Sequence, residues 1–444
     1  MYINTIDNKT NIIDMNINDL YTLYTEYRNI TTDSRSVKTG DLFFALKGDN
    51  FDGNVFAADA LAKGAAYCIV DNPLYKLNDK CILVDDVLTT LQNLALHHRK
   101  QLSIPFVGIT GTNGKTTTKE LVKAVLSKKY RTHATVGNLN NHIGVPLTLL
   151  SMPQDTEIAI IEMGANHPGE IDFLCNIALP DYGLVTNVGK AHLEGFGSFE
   201  GVVQTKTEMY RFVEGRGGML FVNADNEILI EKSEGIKRML YGKSEQSNAK
   251  GAYRSANPYM KFYFENGDIV YSVDTNLMGG YNFDNAMAAV CVGSYFNVDL
   301  FDIKMALEEY EPTNKRSQMK KTDRNVLLLD CYNANPSSMK VAIENFGNMN
   351  VEGNKVVVLG EMKELGVDSE LEHKQVVEQL QNYIFANKVF VGGGFSFVQQ
   401  DADCMWFANI EEAKEYFKNN PISNATILLK GSNSVRVGAL EEIL

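Results

Sequence analysis

The segment GITGTNGKT at 108–116 lies between an apolar strand-like run and a stretch whose apolar residues recur at helical spacing. Glycines at such a turn let backbone N–H groups point toward an anion, and the start of the helix adds its positive end. Lys115 then supplies a charge for the β- and γ-phosphates, and the Thr116 hydroxyl is suited to Mg²⁺. The segment predicts a nucleoside triphosphate site. Because Ile109 stands where the strict phosphate-loop pattern has glycine, an ordinary glycine-rich turn is the alternative.

The alternation of strand-like and helix-like segments predicts an α/β protein with three domains. A chain of 444 residues corresponds to about three domains at ~150 residues each. We expect a small α/β domain over 1–102 and a central, mostly parallel sheet around the glycine loop over 103–312. Strand and helix then alternate four times more, which predicts a doubly wound, Rossmann-like domain over 313–444.

Two local patterns predict further detail. The run KFYFENGDIVYSVDT alternates apolar and polar residues around an Asn-Gly pair, which indicates a β-hairpin. The run HHRK at 97–100 indicates a solvated helix end, where positive charge is favoured by the helix dipole.

Composition excludes several classes of protein. A formal net charge of -13 argues against nucleic-acid binding, which depends on clustered basic residues. The six cysteines are scattered without a CxxC pair, as expected in a reducing cytoplasm. The opening residues are polar and acidic, unlike a signal peptide, and no apolar run approaches the ~18 residues of a membrane span. We therefore expect a soluble cytoplasmic protein. A monomer is the expected oligomeric state, although the residues themselves do not determine it.

Two further residues follow predicted strands at the edge where such sheets hold ligands. Glu162 closes the run EIAIIEM, and His192 comes shortly after YGLVTNV. A carboxylate suits a hard cation, whereas an imidazole suits Mg²⁺ less well. Taken alone, each residue could equally be a hydrogen-bonded structural group.

Six strings extend the pattern over nearly the whole chain: GITGTNGKTTTKE, GNLNNHIGVPLTLL, EMGANHPGEI, AHLEGFGS, YNFDNAMAA and LDCYNANPSSM. Together they resemble the Mur ligase family of cell-wall amide-bond synthetases. The segment TTDSRSVKTGDLFFALKGDNFDG is similar to that family's UDP-substrate domain. The string YNANP favours the branch that joins D-alanyl-D-alanine to a UDP-muramoyl-tripeptide.

The resemblance implies an ADP-forming reaction through an acyl phosphate, with ATP and Mg²⁺ as cofactors. It gives catalytic roles to Lys115, His192, Lys206 and Arg316. It assigns one Mg²⁺ to Thr116 and Glu162 and a second to Glu162 and His192. Lys206 matches a position where family members carry a carbamylated lysine. Without the resemblance, we would predict Lys206 to be a solvated helix residue.

The resemblance also implies binding residues for each substrate. The nucleotide set is Gly111, Thr112, Asn113, Gly114, Lys115, Thr116, Thr117, Asn282, Asn285, Arg316 and Asp330. The UDP-substrate set is Ser34, Arg35, Lys47, Asn138 and Asn141, and the dipeptide set is Asn333 and Asn335. By residue type alone, the asparagines could instead be turn or cap residues, and the arginines could be solvated. Tyr281 replaces the family's usual histidine, and Asn433 replaces the arginine of its KGSR element.

Three other functions stay open at this level. Another superfamily ligase, such as the tripeptide-forming enzyme or a folylpolyglutamate-type synthase, would use a different amino acceptor. A nucleotide-dependent switch or motor would also use a phosphate loop and would hydrolyse without an acceptor. A non-catalytic binding module is disfavoured because Lys115, Thr116, Glu162 and His192 are all present.

Overall fold

The computed structural model describes residues 15–313 and 316–444. Residues 1–14 lie outside this range, and with them the expectation that the opening residues are not a signal peptide. Residues 314 and 315, between the predicted second and third domains, also lie outside it. Two compact units are present. The first comprises the described residues up to Phe106, with Thr135–Thr156 and Phe173–Leu179. The second comprises Val107–Ala134, Glu157–Asp172 and the described part of Pro180–Leu444.

Helices and strands alternate along the chain. The N-terminal part contains α1 Ile17–Tyr27, β1 Ile30–Thr31, β2 Leu42–Phe44, β3 Lys47–Gly48, β4 Phe51–Asp52, α2 Ala57–Ala62, β5 Tyr67–Val70, β6 Cys81–Leu83 and α3 Val87–Lys100. The middle part contains β7 Phe106–Thr110, α4 Lys115–Leu126, β8 Thr132–Ala134, α5 Gly144–Leu150, β9 Ile158–Glu162, α6 Glu170–Ala178, β10 Tyr182–Val185, α7 Leu193–Phe196, α8 Phe199–Gly215, β11 Met219–Asn223, α9 Glu227–Lys232, β12 Arg238–Gly242, β13 Ala249–Ala256, β14 Tyr259–Asn266, β15 Ile269–Met278, α10 Asn282–Tyr295 and α11 Leu300–Glu309. The C-terminal part contains β16 Gln318–Lys321, β17 Asn325–Asp330, α12 Pro336–Asn348, β18 Asn354–Gly360, α13 Ser369–Leu380, β19 Asn387–Val391, β20 Cys404–Phe407, α14 Ile410–Asn419 and β21 Ala425–Lys430.

A parallel sheet of order β1-β2-β5-β6 forms the centre of the first unit. Its strands coincide with the apolar runs of the sequence, and Phe43, Cys68 and Val70 lie in its core. Helix α1 is fixed to this unit by the Tyr24 hydroxyl, which donates to the Leu150 carbonyl at 2.9 Å. The α/β fold predicted for the N-terminal part of the chain is confirmed, and its bounds of 1–102 stay a prediction.

The end of α3 is buried, so the prediction of a solvated helix end at 97–100 was wrong for two of its residues. His98 and Arg99 are each 5% exposed. The His98 ring packs edge-on against Tyr24, and Arg99 donates to the Ala178 carbonyl while lying 3.7 Å from the ring centroid of Phe106. Tertiary contacts within the first unit therefore satisfy these polar groups in place of water.

The central sheet has nine strands in the order β15-β14-β13-β12-β11-β10-β7-β9-β8. Pairing is parallel in β8–β9 and from β7 through β10 to β13. It becomes antiparallel in β13–β14–β15, where β14 and β15 form the predicted hairpin. Helices α4 and α10 contribute to a continuous apolar core with this sheet. Since parallel strands covered by helices are apolar on both faces, the strands carry the near-continuous apolar runs seen in the sequence.

The third sheet has the order β16-β17-β21-β18-β19-β20 and is parallel except for β16 at its edge. The predicted doubly wound arrangement is confirmed. Asp330 and Lys430 end the neighbouring strands β17 and β21, so both lie where this fold class carries ligands. Among the described residues, none of the helices combines the length and apolar character needed to cross a membrane.

His98 should make the first unit sensitive to acid. Burial, with the nearby Arg28 and His97 charges, lowers the pKa of His98 to about 4, whereas an unfolded histidine titrates near 6.5. Between these pH values His98 binds a proton in the unfolded chain but not in the folded chain. The free energy of unfolding should therefore fall as pH decreases from about 6.5 to 4. The measurement is the free energy of unfolding in urea at about pH 6.5 and pH 4. Its decrease over this range should be about 1–2 kcal/mol smaller in His98→Gln than in the wild type. The neighbouring His97→Gln should retain most of this decrease, because the His97 charge is the smallest of the three causes, and an unchanged slope in His98→Gln would contradict the assignment.

Candidate active site

The glycine loop joins the end of β7 to the start of α4, and two of its glycines have no room for a side chain. Gly111 and Gly114 have φ of 140° and 77°, values that L side chains rarely adopt. A Cβ at Gly111 would lie 2.0 Å from Thr186 Oγ1, and one at Gly114 would lie 2.5 Å from Asn285 Oδ1. Gly114 is the N-cap of α4 and offers no side-chain cap, so the first N–H groups of the helix suit an anion.

Strand β10 fixes the shape of this loop. Thr112 N–H donates to the Asn187 carbonyl at 2.9 Å, and Asn113 N–H donates to Asn187 Oδ1 at 3.0 Å. The Thr186 hydroxyl donates to the Asn113 carbonyl at 2.6 Å. Because these bonds already order the loop, a ligand does not have to supply the ordering free energy.

Lys115 lies over the loop that it follows. Its Nζ donates to the carbonyls of Gly111 at 2.7 Å and Thr112 at 3.0 Å. The pKa of Lys115 is lowered to about 8, mainly by removal from water; the Glu162 charge opposes this shift and the Arg316 charge adds to it. A desolvated cation with a second cation nearby favours an anionic ligand.

Thr116 and Glu162 supply adjoining oxygen atoms at the carboxyl end of the central sheet. Thr116 Oγ1 donates to Glu162 Oε1 at 3.1 Å, and both side chains are buried. Hard oxygens of this kind fit Mg²⁺, which commonly takes one or two protein ligands and completes its shell with water and phosphate. In the part of the chain described here, no cluster of three or more His, Cys, Asp or Glu is placed to bind a metal. Thr117 lies beside Thr116 in the first turn of α4.

His192 begins α7 in the left-handed conformation, with φ of 50°. Its Nδ1 contacts a carboxylate oxygen of Glu364, which lies in the loop after β18. Burial lowers the pKa of His192, and Glu364 opposes that shift. Glu364 was missed by sequence reasoning. Its position after a strand of the C-terminal sheet was the only available signal.

Lys206 lies inside the second unit, on α8, and is 2% exposed. Its Nζ donates to the Ala165 carbonyl at 3.0 Å and lies 5.1 Å from the ring centroid of Phe196. Burial holds the pKa of Lys206 well below its usual value, and Lys115 adds to this effect. The interpretation of Lys206 as a solvated helix residue was therefore wrong.

Asn282 and Asn285 connect α10 to the helix behind the glycine loop. Asn285 Oδ1 accepts from the Thr118 hydroxyl at 3.0 Å, and its Nδ2 donates to Asn282 Oδ1 at 2.9 Å. Asn282 in turn donates to the Met278 carbonyl at 2.8 Å. Both asparagines are buried. This chain of hydrogen bonds sets the position of α10 against Gly114.

The C-terminal sheet brings further polar groups to the loop. Asn335 Nδ2 donates to Asn113 Oδ1 at 2.9 Å, while the Asn335 side-chain oxygen caps α12 by accepting from Ser338 N–H. Asn333 Oδ1 accepts from the following backbone N–H, that of Ala334. Asp330 pairs with the buried Lys430 at 2.7 Å. Asn335 therefore combines a capping role with a direct contact to the glycine loop.

The five predicted UDP-substrate residues all lie in the first unit. Arg35 is exposed and pairs with Asp33 at 2.7 Å, and this contact lowers the pKa of Asp33 to about 2. Lys47 pairs with Asp71 at 2.7 Å. Each cation is therefore held by a neighbouring carboxylate.

The other members of this set are Ser34, Asn138 and Asn141, which lie in loops. The Ser34 carbonyl accepts from Lys63 Nζ at 2.8 Å. Asn138 is exposed. Asn141 Oδ1 accepts from the N–H groups of Ile143 and Gly144 at 3.1 and 2.9 Å, at the start of α5. Asn141 therefore stabilises the turn that precedes α5.

Several other proteins are similar to this chain in both sequence and fold. Family models match residues 26–107 (Mur ligase family, catalytic domain), 109–293 (Mur ligase middle domain) and 315–433 (Mur ligase, glutamate ligase domain). UDP-N-acetylmuramoyl-tripeptide--D-alanyl-D-alanine ligase from Bacillus subtilis is 34% identical, covering 95% of this chain and 93% of its own length.

Two solved structures are similar throughout. MurF from Acinetobacter baumannii aligns with a TM-score of 0.84 and 30% identity over 94% of this chain and 93% of the other. MurF ligase from Thermotoga maritima, solved in complex with ADP, aligns with a TM-score of 0.82 and 28% identity over 94% and 97% of the two chains.

The nucleotide loop and the doubly wound sheet facing it define an ATP-dependent ligase. The chain belongs to the Mur ligase family.

Gly114→Ala should weaken nucleotide binding. The new Cβ would meet the Asn285 amide, which is itself held by two hydrogen bonds, so the loop must shift. We expect ATP affinity by calorimetry to fall at least about tenfold. Gly217→Ala is the matched control, since Gly217 has φ of 70° but nothing within 4 Å of its added Cβ. It should keep wild-type ATP affinity. Wild-type affinity in Gly114→Ala would argue against this loop as the phosphate site.

Proposed function

We propose that this protein joins D-alanyl-D-alanine to UDP-N-acetylmuramoyl-tripeptide, with conversion of ATP to ADP and phosphate. The observation that carries the proposal is the Asn335–Asn113 hydrogen bond. It connects the YNANP element, which the family resemblance relates to the dipeptide, with the glycine loop. The similarity over nearly the full length of relatives bearing this activity supports the same conclusion.

The proposed reaction has two steps. A terminal carboxylate oxygen of the tripeptide attacks the γ-phosphorus of ATP, which releases ADP and forms an acyl phosphate. The dipeptide amine then attacks the acyl carbon, and the tetrahedral intermediate expels phosphate as the amide forms. Negative charge grows on the transferred phosphoryl group and later on the intermediate, so the protein contributes mainly by positioning and by electrostatic stabilisation.

Lys115 and Arg316 are the cations that we assign to the β- and γ-phosphates. The backbone of 111–114 and the first turn of α4, including Thr116 and Thr117, surrounds the same groups. Mg²⁺, held by Thr116 and Glu162, would supply positive charge at the transferred phosphoryl oxygens. We assign His192 and Glu162 to a second cation, with Glu364 orienting the imidazole.

The remaining nucleotide contacts are assigned by position. Asp330 lies at the end of β17 and would contact the ribose, with Lys430 setting the direction of its carboxylate. Asn282 and Asn285 would border the adenine side. Since their amides are already hydrogen-bonded to each other and to neighbouring groups, we assign them mainly to holding α10 in place.

We assign Lys206 as a carbamylated lysine. Its neutral amine would add to CO₂ and release a proton, giving an anionic carbamate. Burial favours the neutral amine that this reaction needs, and the Lys115 charge would stabilise the product. The carbamate could then help to orient the second cation.

We assign the three segments 1–102, 103–312 and 313–444 to the UDP-substrate, ATP and dipeptide, respectively. Ser34, Arg35, Lys47, Asn138 and Asn141 would contact the UDP-linked substrate, and Asn333 with Asn335 would contact the dipeptide. The two surface cations Arg35 and Lys47 suit a diphosphate, because their paired carboxylates order them at modest cost. We propose that the protein acts as a monomer in the cytoplasm, where ATP is available.

Phosphate release from ATP with UDP-N-acetylmuramoyl-tripeptide tests the proposal directly. We expect release only when D-alanyl-D-alanine is also present. Lys115→Ala should reduce this rate at least about 100-fold because it removes a cation from the developing charge. Lys123→Ala, on the same helix, should be close to wild type.

Other outcomes would identify the alternatives. Turnover with single amino acids or folate acceptors but not the dipeptide would indicate another ligase of the superfamily. Acceptor-independent hydrolysis would indicate a switch or motor.

Carbamylation of Lys206 can be observed without turnover. Protein equilibrated with ¹³C-bicarbonate should show one carbamate signal by NMR, absent in Lys206→Gln. Lys119→Gln is the matched control, since Lys119 is also fully buried but pairs with Glu120 at 2.8 Å. That variant should retain the signal. A signal that survives in Lys206→Gln would reject the assignment.

A further inference from the structure

Tyr332, the first residue of YNANP, has so far no role, yet its ring lies directly against Arg316. The guanidinium carbon of Arg316 is 3.7 Å from the centroid of the Tyr332 ring. At this distance the planar cation lies on the face of the ring, where the negative face of the π-system attracts it. The contact connects the interdomain segment to the loop that follows β17.

Stacking leaves the edge of the guanidinium available. The N–H groups of arginine point outward in its plane, so a face contact does not use them. The Arg316 Nε is buried, and among the described residues it has no hydrogen-bond partner. A buried donor in this state favours an acceptor supplied by a ligand. The Arg316 charge also acts on Lys115, whose pKa it lowers, so the two cations lie near one another.

The backbone next to Arg316 is fixed independently. Ser317 is in the left-handed conformation, with φ of 53°. Its hydroxyl lies 2.6 Å from the Tyr281 hydroxyl, at the start of α10. Tyr281 therefore fixes the chain on one side of Arg316, and Tyr332 fixes the side chain itself.

We propose that Tyr332 is a positioning residue that holds the Arg316 guanidinium flat, with its donor edge turned toward the γ-phosphate. This inference rests on the proposed function, since it assumes that Arg316 acts on the transferred phosphoryl group. This positioning depends on the aromatic face of Tyr332 and not on its hydroxyl. Since the arginine must meet charge that develops during transfer, losing its orientation slows the chemical step more than it weakens ATP binding.

Four variants test this assignment in the dipeptide-dependent phosphate-release assay. Tyr332→Phe keeps the ring, Tyr332→Leu removes it, Arg316→Ala removes the cation, and the double variant removes both. We expect Tyr332→Leu to lower kcat about tenfold or more, with KM for ATP changed less than about threefold. Tyr332→Phe should remain within about twofold of wild type. The double variant should be no slower than Arg316→Ala within about twofold, because the ring acts only through the arginine.

A matched control separates positioning from stability. Tyr383→Leu removes a partly buried tyrosine of the same C-terminal sheet region, where it packs beside Phe385. It should leave kcat unchanged, and melting temperatures of all variants should be measured. If Tyr332→Leu does not fold, Tyr332→Phe and Tyr332→Trp should both stay active while Tyr332→Gln loses kcat.

Three results would overturn the proposal. The first is a Tyr332→Leu or Tyr332→Gln variant with wild-type kcat. The second is an equal loss of kcat in Tyr332→Phe and Tyr332→Leu. The third is a double variant whose loss of kcat is the product of the losses in the two single variants. A wild-type protein without dipeptide-dependent turnover would instead contradict the proposed function itself.

Discussion

Close packing around the glycine loop is the constraint on which the candidate site depends. Thr186 approaches the loop from β10 and Asn285 from α10, so closely that neither Gly111 nor Gly114 could carry a side chain. The same two neighbours are hydrogen-bonded to the loop or to the helix behind it. A strand, a helix and the loop are therefore fixed by one another, and the helix N-terminus is presented without a cap.

Desolvated positive charge is the second organising feature of the site. Lys115 lies close enough to Arg316 and to Lys206 for their charges to interact, and burial lowers the pKa of both lysines. Such an arrangement is unfavourable for the free protein and becomes favourable when anions enter. A nucleoside triphosphate and a lysine carbamate are the two anions that the proposed reaction would place there. The buried positive charges that lower the stability of the free protein are thus the same charges that would attract these anions.

Contacts between the two larger sheets complete the site. Asn335 meets Asn113, Glu364 meets His192, and the buried Glu372 pairs with Lys190 at 3.0 Å. Each contact joins a residue that follows a strand of the C-terminal sheet, or begins its next helix, to the edge of the central sheet. The polar groups needed for phosphoryl transfer therefore come from segments far apart in the chain.

The sequence by itself determined the glycine loop, the strand–helix alternation and the hairpin of β14 and β15, because these depend on local backbone chemistry and apolar spacing. It also indicated Glu162 and His192, since strand ends in such folds collect ligands. The burial of His98, Arg99 and Lys206, the contact of Glu364, and the Arg316–Tyr332 stack were decided only by the tertiary structure. These features depend on which distant segments exclude water from a side chain, and neither spacing nor residue type carries that information.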